Sequence, residues 1–401
     1  MNFEAAKIRQ ISQLRNRECL YLCRRMKLYV FNPEHDYALA NNDPHFMAPA
    51  SACQFANDCA SFWSFLADEN VEFQLFQPYQ TDSKRFDFND VIEIKPWGWN
   101  PLVVHQLREA GAPEKLLPTT AQLARWRTLA HRKLTIPAMN FLRNSCPNIP
   151  LPVNPELLTS EQQIADFIAR NDNVLLKSPY SGNGRGNLYA HGSYSVTLRR
   201  QTLGVIRRQG AILGEPMYNV IQDFAMEFHC QNGQTHFAGY SLFQTLHYGY
   251  AGNQLLSDAE IEQRLCQWLS VFDLQQIRAQ LLKYIESEIA PDYNGYVGVD
   301  MFVYQKDNAF LVNPMVEMNL RMTMGMAAHV MYERYLHPDA KGVMQLLYFS
   351  SPGALKVYAD AQPPLVTLNG KWRSGFCALN EITEQTQYAV CVSVNDRGSR
   401  M

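Results

Sequence analysis

The stretch Asn313-Pro314-Met315-Val316-Glu317-Met318-Asn319-Leu320-Arg321 alternates apolar and polar side chains through its second half. A strand sends successive side chains to opposite faces, so Glu317, Asn319 and Arg321 share one face while Val316, Met318 and Leu320 point to the core. A carboxylate and an amide oxygen two residues apart are hard ligands of the kind Mg²⁺ takes. An arginine beside them suits a transferring phosphate. Alone, the pattern equally describes the polar face of a half-buried strand, so the neighbouring segments must decide.

Just upstream, Gly295-Tyr296-Val297-Gly298-Val299-Asp300-Met301-Phe302-Val303-Tyr304 places Val297, Val299, Met301 and Val303 on one face and Asp300 on the other. A mid-strand acid needs a cation, a donor or solvent. If the two segments pair as a hairpin, Asp300 faces Glu317, and two such carboxylates repel unless a cation lies between them.

Lys177-Ser178-Pro179-Tyr180-Ser181-Gly182-Asn183-Gly184-Arg185-Gly186 follows the apolar strand Val174 to Leu176. Its glycines permit close backbone approach, so that N–H groups face phosphate oxygens beside the Lys177 charge. The spacing is neither that of a P-loop nor that of a dinucleotide fingerprint, and a flexible turn is the plain alternative. Gly214-Glu215-Pro216 comes next, then a strand in which Asp223, Glu227 and His229 oppose Phe224, Met226 and Phe228. His229 reads as structural. Glu227 suits a ribose hydroxyl or the orientation of Lys177.

In this order the four segments resemble the ATP-grasp superfamily over about residues 118–345. The resemblance implies a Rossmann-like N-terminal domain, a two-subdomain ATP-grasp fold of α+β type, and ATP with Mg²⁺ (Mn²⁺ as the alternative) as cofactors. Lys177 looks like the lysine that touches the phosphates, and Gly182, Gly184 and Gly186 like the lid over them. Glu215 would be the hinge residue near adenine or ribose, and Glu227 the acid on the following strand. Asp300, Glu317 and Asn319 match the metal ligands, and Arg321 the arginine on the transferred phosphate. Arg132, or else Lys133, would supply the basic residue that precedes the first subdomain. Asp300 departs from the glutamate common at the first metal position. The activity implied is ATP-dependent joining of a carboxylate to an amine through an acyl phosphate. A small-molecule kinase, a phosphate-transferring synthetase or a non-catalytic nucleotide binder fits the same motifs.

The 401 residues call for more than one domain, and 47% hydrophobic with 18% charged residues is ordinary globular composition. Strand–helix–strand alternation divides the chain into an extension at 1–25, expected to be poorly ordered, a parallel α/β unit at 26–117, the ATP-grasp unit at 118–350 and a β-rich appendage at 351–401. Within these, 340–348 reads as a helix, 257–290 as one long helix, and a further helix runs from Thr119 or Thr120 through Leu134. Asn369-Gly370 signals a hairpin turn.

A net charge of -2 without a basic run argues against nucleic-acid and membrane partners. Nine scattered cysteines without a C-x-x-C pair fit a reducing cytoplasm. The expected partners are small-molecule or peptide carboxylates and amines, and a homodimer is left open. Substrate contacts are sought at His35 after the first strand, at Gln244 and Tyr250 in an aromatic, amide-rich segment, and at an aromatic wall of Trp97 and Trp99, where packing is the plainer reading.

Overall fold

The computed structural model describes residues 25–80, 86–182, 184, 186–246 and 249–396, so the expected extension lies outside them apart from Arg25. Three strands open the chain: β1 (Met26–Val30), β2 (Glu72–Phe76) and β3 (Val91–Pro96). They form a parallel sheet in the order β2-β1-β3. Leu28 and Val30 pack on Val103 and Leu107 of helix Pro101–Glu109. Tyr29 and Phe31 pack on Phe62 and Trp63 from the opposite face. The unbroken apolar run of β1 reflects burial on both sides.

The second sheet contains β4 (Glu156–Leu158), β5 (Asn173–Lys177), β6 (Asn187–His191) and β7 (Ile212–Pro216), antiparallel in the order β4-β7-β5-β6. Helix Glu161–Arg170 starts where Ser160 accepts from the Gln163 N–H, and its Ile164 and Phe167 meet Val174, Leu176 and Ile212.

The third sheet has nine strands, all antiparallel to their neighbours. They are β8 (Asn219–Gln231), β9 (Gln234–Leu246), β10 (Gly249–Leu255), β11 (Gly295–Lys306), β12 (Ala309–Asn319), β13 (Ala340–Tyr348), β14 (Val366–Leu368), β15 (Lys371–Ala378) and β16 (Tyr388–Asp396). Their spatial order is β12-β11-β8-β9-β10-β13-β16-β15-β14. Phe224, Met226 and Phe228 of β8 join Val297, Val299, Met301 and Val303 of β11 in one core with Leu274, Ile277 and Leu281 of helix Val271–Glu288. The opposite face of these strands is left for the site. No helix among the described residues is long and apolar enough to cross a membrane.

Several expectations need correction. Residues 340–348 form strand β13, not a helix. Ala340, Gly342 and Met344 are buried in alternation, and a Cβ at Gly342 would stand 2.8 Å from the Ser393 carbonyl oxygen of β16. Strand pairing on both edges outweighs the helix propensity of Ala, Met, Gln and Leu there. The single helix expected over 257–290 is two, Asp258–Leu265 and Val271–Glu288, each with its own serine cap at Ser257 and Ser270. The helix capped by Thr119 stops at Leu129, and a short 3₁₀ turn, Arg132–Leu134, leads into helix Thr135–Ser145. That break turns Arg132 inward.

Asn369 and Gly370 do make a two-residue turn, with φ of 52° and 78°, between β14 and β15. The tail is nevertheless no separate appendage. β16 pairs with β13 from Ala340 to Tyr348, and Trp372, Val390 and Val392 share a core with Tyr29, Trp63, Trp97 and Met331. Trp97 packs edge-on against Phe31, centroids 5.3 Å apart, and belongs to that core rather than to a substrate wall.

Candidate active site

β11 and β12 pair so that Asp300 stands directly opposite Glu317. The next residue pairs are irregular: Phe302 lies opposite Asn313, leaving Pro314 to Val316 bulged across from Met301. The bulge gives the core position to Met315 and sends Val316, expected in the core, to the cavity. Asn319 Nδ2 donates to Asp300 Oδ2 at 3.1 Å, and Arg321 Nη2 donates to Asn319 Oδ1 at 3.0 Å. Arg132 lies across from them. Its Nε donates to Glu317 Oε2 at 2.6 Å, and its other nitrogens hold the Ser178 and Ser181 carbonyl oxygens at 2.6 Å each. Lys133, the alternative to Arg132, is exposed.

The charges are unequal. Burial and the adjacent Glu317 push the Asp300 carboxyl well above its ordinary range. Burial opposes ionisation of Glu317, but Arg132, the contact with Asp300 and the Lys177 charge together hold it low. Two half-buried carboxylates side by side with an amide make a hard oxygen donor set, and their mutual repulsion is what a divalent cation relieves. These residues fit Mg²⁺. Among the described residues, no group of three or more His, Cys, Asp or Glu side chains forms a different metal centre.

Lys177, at the end of β5, is buried and ion-paired with Glu215 of β7. Leu175 and Glu215 are register partners, which brings the two chains together across the sheet. Glu215 is thus engaged by Lys177. Glu227 is instead held by Thr323, whose Oγ1 donates to Glu227 Oε1 at 2.8 Å.

A cavity of about 450 Å³ lies between the second and third sheets. Lys177, Gly184, Glu215, Glu227, Asp300, Glu317, Asn319, Arg321 and Arg132 all reach it. One end is apolar, walled by Leu175, Met217, Tyr218, Val220 and Phe302. Gly184 has φ of 69°, a left-handed conformation that favours glycine. At Gly182 and Gly186 the constraint is space. A Cβ at 182 would overlap Asp36 Oδ2, and one at 186 would overlap Ser181. Asn183 and Arg185 lie outside the described residues.

The substrate candidates separate. Tyr250 lines the cavity and its hydroxyl donates to Asn253. Gln244 does not line it. Ser241, Phe243 and Thr245 face the cavity, so strand alternation turns Gln244 outward. His35 is buried, bonded to Asn100 Nδ2 at 3.2 Å with Gly98 close against its ring, and burial lowers it to about 4; with Asp36, Arg132, Glu317 and Arg321 it lines a second, smaller cavity. Its neighbour Asp36 enters the site instead, gripping Arg321. Asp36 and Asn253 fall in segments read from the sequence as candidate substrate loops, without a role of their own; Tyr218, Ser241 and Thr323 carry no role there. Thr323 alone had a signal, as a cap position before the helix Met324–Tyr335.

No protein-family model matches the sequence, and no curated protein does. Solved structures do match in fold. Biotin carboxylase of Campylobacter jejuni, in a β,γ-ATP complex, superposes with a TM-score of 0.51 at 10% identity, covering 93% of this chain and 87% of that one. N5-carboxyaminoimidazole synthetase of Staphylococcus aureus, in complex with ADP, gives 0.50 at 12% identity over 95% of each chain. At such identities the likeness is one of architecture, and the architecture is the ATP-grasp fold.

Proposed function

We propose that the protein is an Mg²⁺- and ATP-dependent ligase that activates a carboxylate as an acyl phosphate and joins it to an amine. The observation that carries this reading is the Asp300–Glu317 register pair, ringed by Arg132, Asn319 and Arg321, on the wall of a cavity that also holds Lys177. Both structural relatives are nucleotide complexes, which supports ATP as the occupant. The parallel sheet at 26–117 is read as a Rossmann-like domain whose part is to deliver Asp36 to Arg321.

On this reading adenine takes the apolar end at Met217, Tyr218 and Phe302, and Asp223, on the strand between that end and Asp300, meets the ribose. Lys177 and the Gly184 backbone meet the phosphates. Asp300, Glu317 and Asn319 would hold Mg²⁺, which would offset the negative charge of the phosphate oxygens. Arg321 and Arg132 flank the carboxylate that is to be activated and keep its oxygen aimed at the γ-phosphorus. That oxygen forms a bond to phosphorus as the bond to the ADP oxygen breaks. The amine nitrogen then attacks the acyl carbon and phosphate leaves.

Positioning and fixed charge do the work, as in phosphoryl transfer generally. Product analysis across paired carboxylates and amines tests it. Ligation yields ADP, inorganic phosphate and an amide. Phosphate retained on an acceptor would make the enzyme a kinase, and no nucleotide consumption with any pair would leave only a binder.

A further inference from the structure

β8 sets out the cavity floor in a fixed order. Asp223, Ala225 and Glu227 face the cavity on alternate positions. Asp223 is level with Phe302, Ala225 with Asp300, and Glu227 with Gly298. The apolar end therefore lies on one side of the carboxylate pair. Glu227 lies on the other, about 7 Å further along the strand. A nucleotide with its base at Tyr218 and its terminal phosphate at Asp300 leaves Glu227 beyond the phosphate, where an acceptor must approach.

Glu227 is 1% exposed. Its Oε2 has no hydrogen-bond partner among the described residues. Two glycines pack close against it: a Cβ at Gly298 would come 2.8 Å from Oε2, and one at Gly325 would overlap Oε1 and Ser241 Oγ. Thr323 Oγ1, which donates to Oε1, also accepts from the Met326 N–H at 2.8 Å, tying the carboxylate to the helix start. Beside it, Ser241 Oγ accepts from Asn253 Nδ2 at 2.6 Å, and Ser241 lines the cavity. An unpartnered buried carboxylate oxygen next to a hydroxyl calls for a ligand that is cationic and rich in donors.

We infer that Glu227 and Ser241 form the subsite for the second substrate, that this substrate enters as a primary ammonium, and that Glu227 takes its first proton. The inference rests on the ligase reading for its role and on side-chain geometry for its ligand. The proton moves from nitrogen to Glu227 Oε2, freeing the lone pair that forms the C–N bond. The acyl C–O bond breaks with its electrons on the departing phosphate, which takes the second nitrogen proton. Glu227 returns its own proton to solvent on product release. Burial places its carboxyl at about 7, against the pull of Thr323, Arg321 and His329, and this suits proton exchange near neutrality. The charged groups that face it are Arg321, His329 and Asp300.

The test uses methylammonium chloride as probe, against potassium chloride at equal ionic strength, on full-length protein carrying isotope-labelled glycine. The amide resonances of Gly239, Gly298 and Gly325 report on the subsite, with and without Mg²⁺ and a non-hydrolysable ATP analogue. Saturable shifts of these resonances are expected, weakened at least about tenfold in Glu227→Gln, which preserves the shape but removes the charge. Unaltered analogue affinity and an otherwise unchanged glycine spectrum show that the variant is folded. Ser241→Ala should weaken the same shifts to a smaller extent. Shifts that persist undiminished in Glu227→Gln, or wild-type protein that shows none, overturn the assignment. Failure of the nucleotide analogue to bind is a separate result: it sinks the ligase reading, while the nucleotide-free titration still decides the subsite.

Discussion

Asp36 holds Arg321 through both carboxylate oxygens, at 3.2 and 3.1 Å, across 285 residues of sequence. The loop after β1 thereby fixes an arginine of the far sheet, and Gly182 leaves room for the carboxylate between them. Asp36 acts through Arg321, as a positioning residue. Asp36→Asn should lower kcat by about 10²-fold while the affinity for the ATP analogue changes little, because misplacing a charge costs orientation rather than binding. Gly182→Ala should shift kcat in the same direction. Equal losses in kcat and in nucleotide affinity would argue that Asp36 merely supports the fold.

Lys177 and Glu215 form an ion pair with both residues 5% exposed. Removing one partner of a buried pair strands the other charge. Glu215→Gln should therefore cost about 3–5 kcal/mol of stability by chemical denaturation. Nucleotide with Mg²⁺ should restore much of that loss, since the phosphates give Lys177 a new counter-charge. A Glu215→Gln protein as stable as wild type without nucleotide would mean that Lys177 is solvated in its absence.

Glu34 is fully buried, and neither carboxylate oxygen has a hydrogen-bond partner among the described residues. Burial raises it from 4.5 to about 7. A raised acid binds its proton more tightly in the folded chain than in the unfolded one. Its contribution is therefore greatest below pH 4.5 and falls away as pH rises toward about 7. Glu34→Gln lacks this slope. It should gain up to about 3 kcal/mol on wild type between those limits, read from denaturant midpoints across pH. Parallel stability profiles for the two proteins would show that Glu34 ionises freely.

Much of the fold was legible wherever one segment carried its own pattern. The alternation in Val297–Val303 and in Glu317–Arg321 defined two strands and their polar faces, and these faces do meet. The helix start at Thr119 or Thr120 was legible because a cap is a local device, and Thr119 is the cap. What failed depended on partners distant in sequence. Ala340–Tyr348 has helix-forming residues, and only pairing with β10 and β16 makes it a strand. Ile212–Pro216 contains Gly214 and Pro216, which obscure a strand signal, although a Cβ at 214 would stand 2.8 Å from Phe167. In the site, residue types pointed to the carboxylates, Lys177 and Arg132. Asp36 could not be singled out, because its value lies in reaching Arg321. The place of Glu227 beyond Asp300 emerges only from the register of β8 on β11.

The claim on which the account turns is that Asp300 and Glu317 together hold a divalent cation against the nucleotide. Calorimetric titration of the non-hydrolysable ATP analogue, with and without Mg²⁺, into wild type and Asp300→Asn tests it most directly. Wild-type affinity should rise about tenfold or more with Mg²⁺, while Asp300→Asn should bind the metal-free analogue normally and gain little from the metal. The same Mg²⁺ enhancement in both proteins would contradict the account.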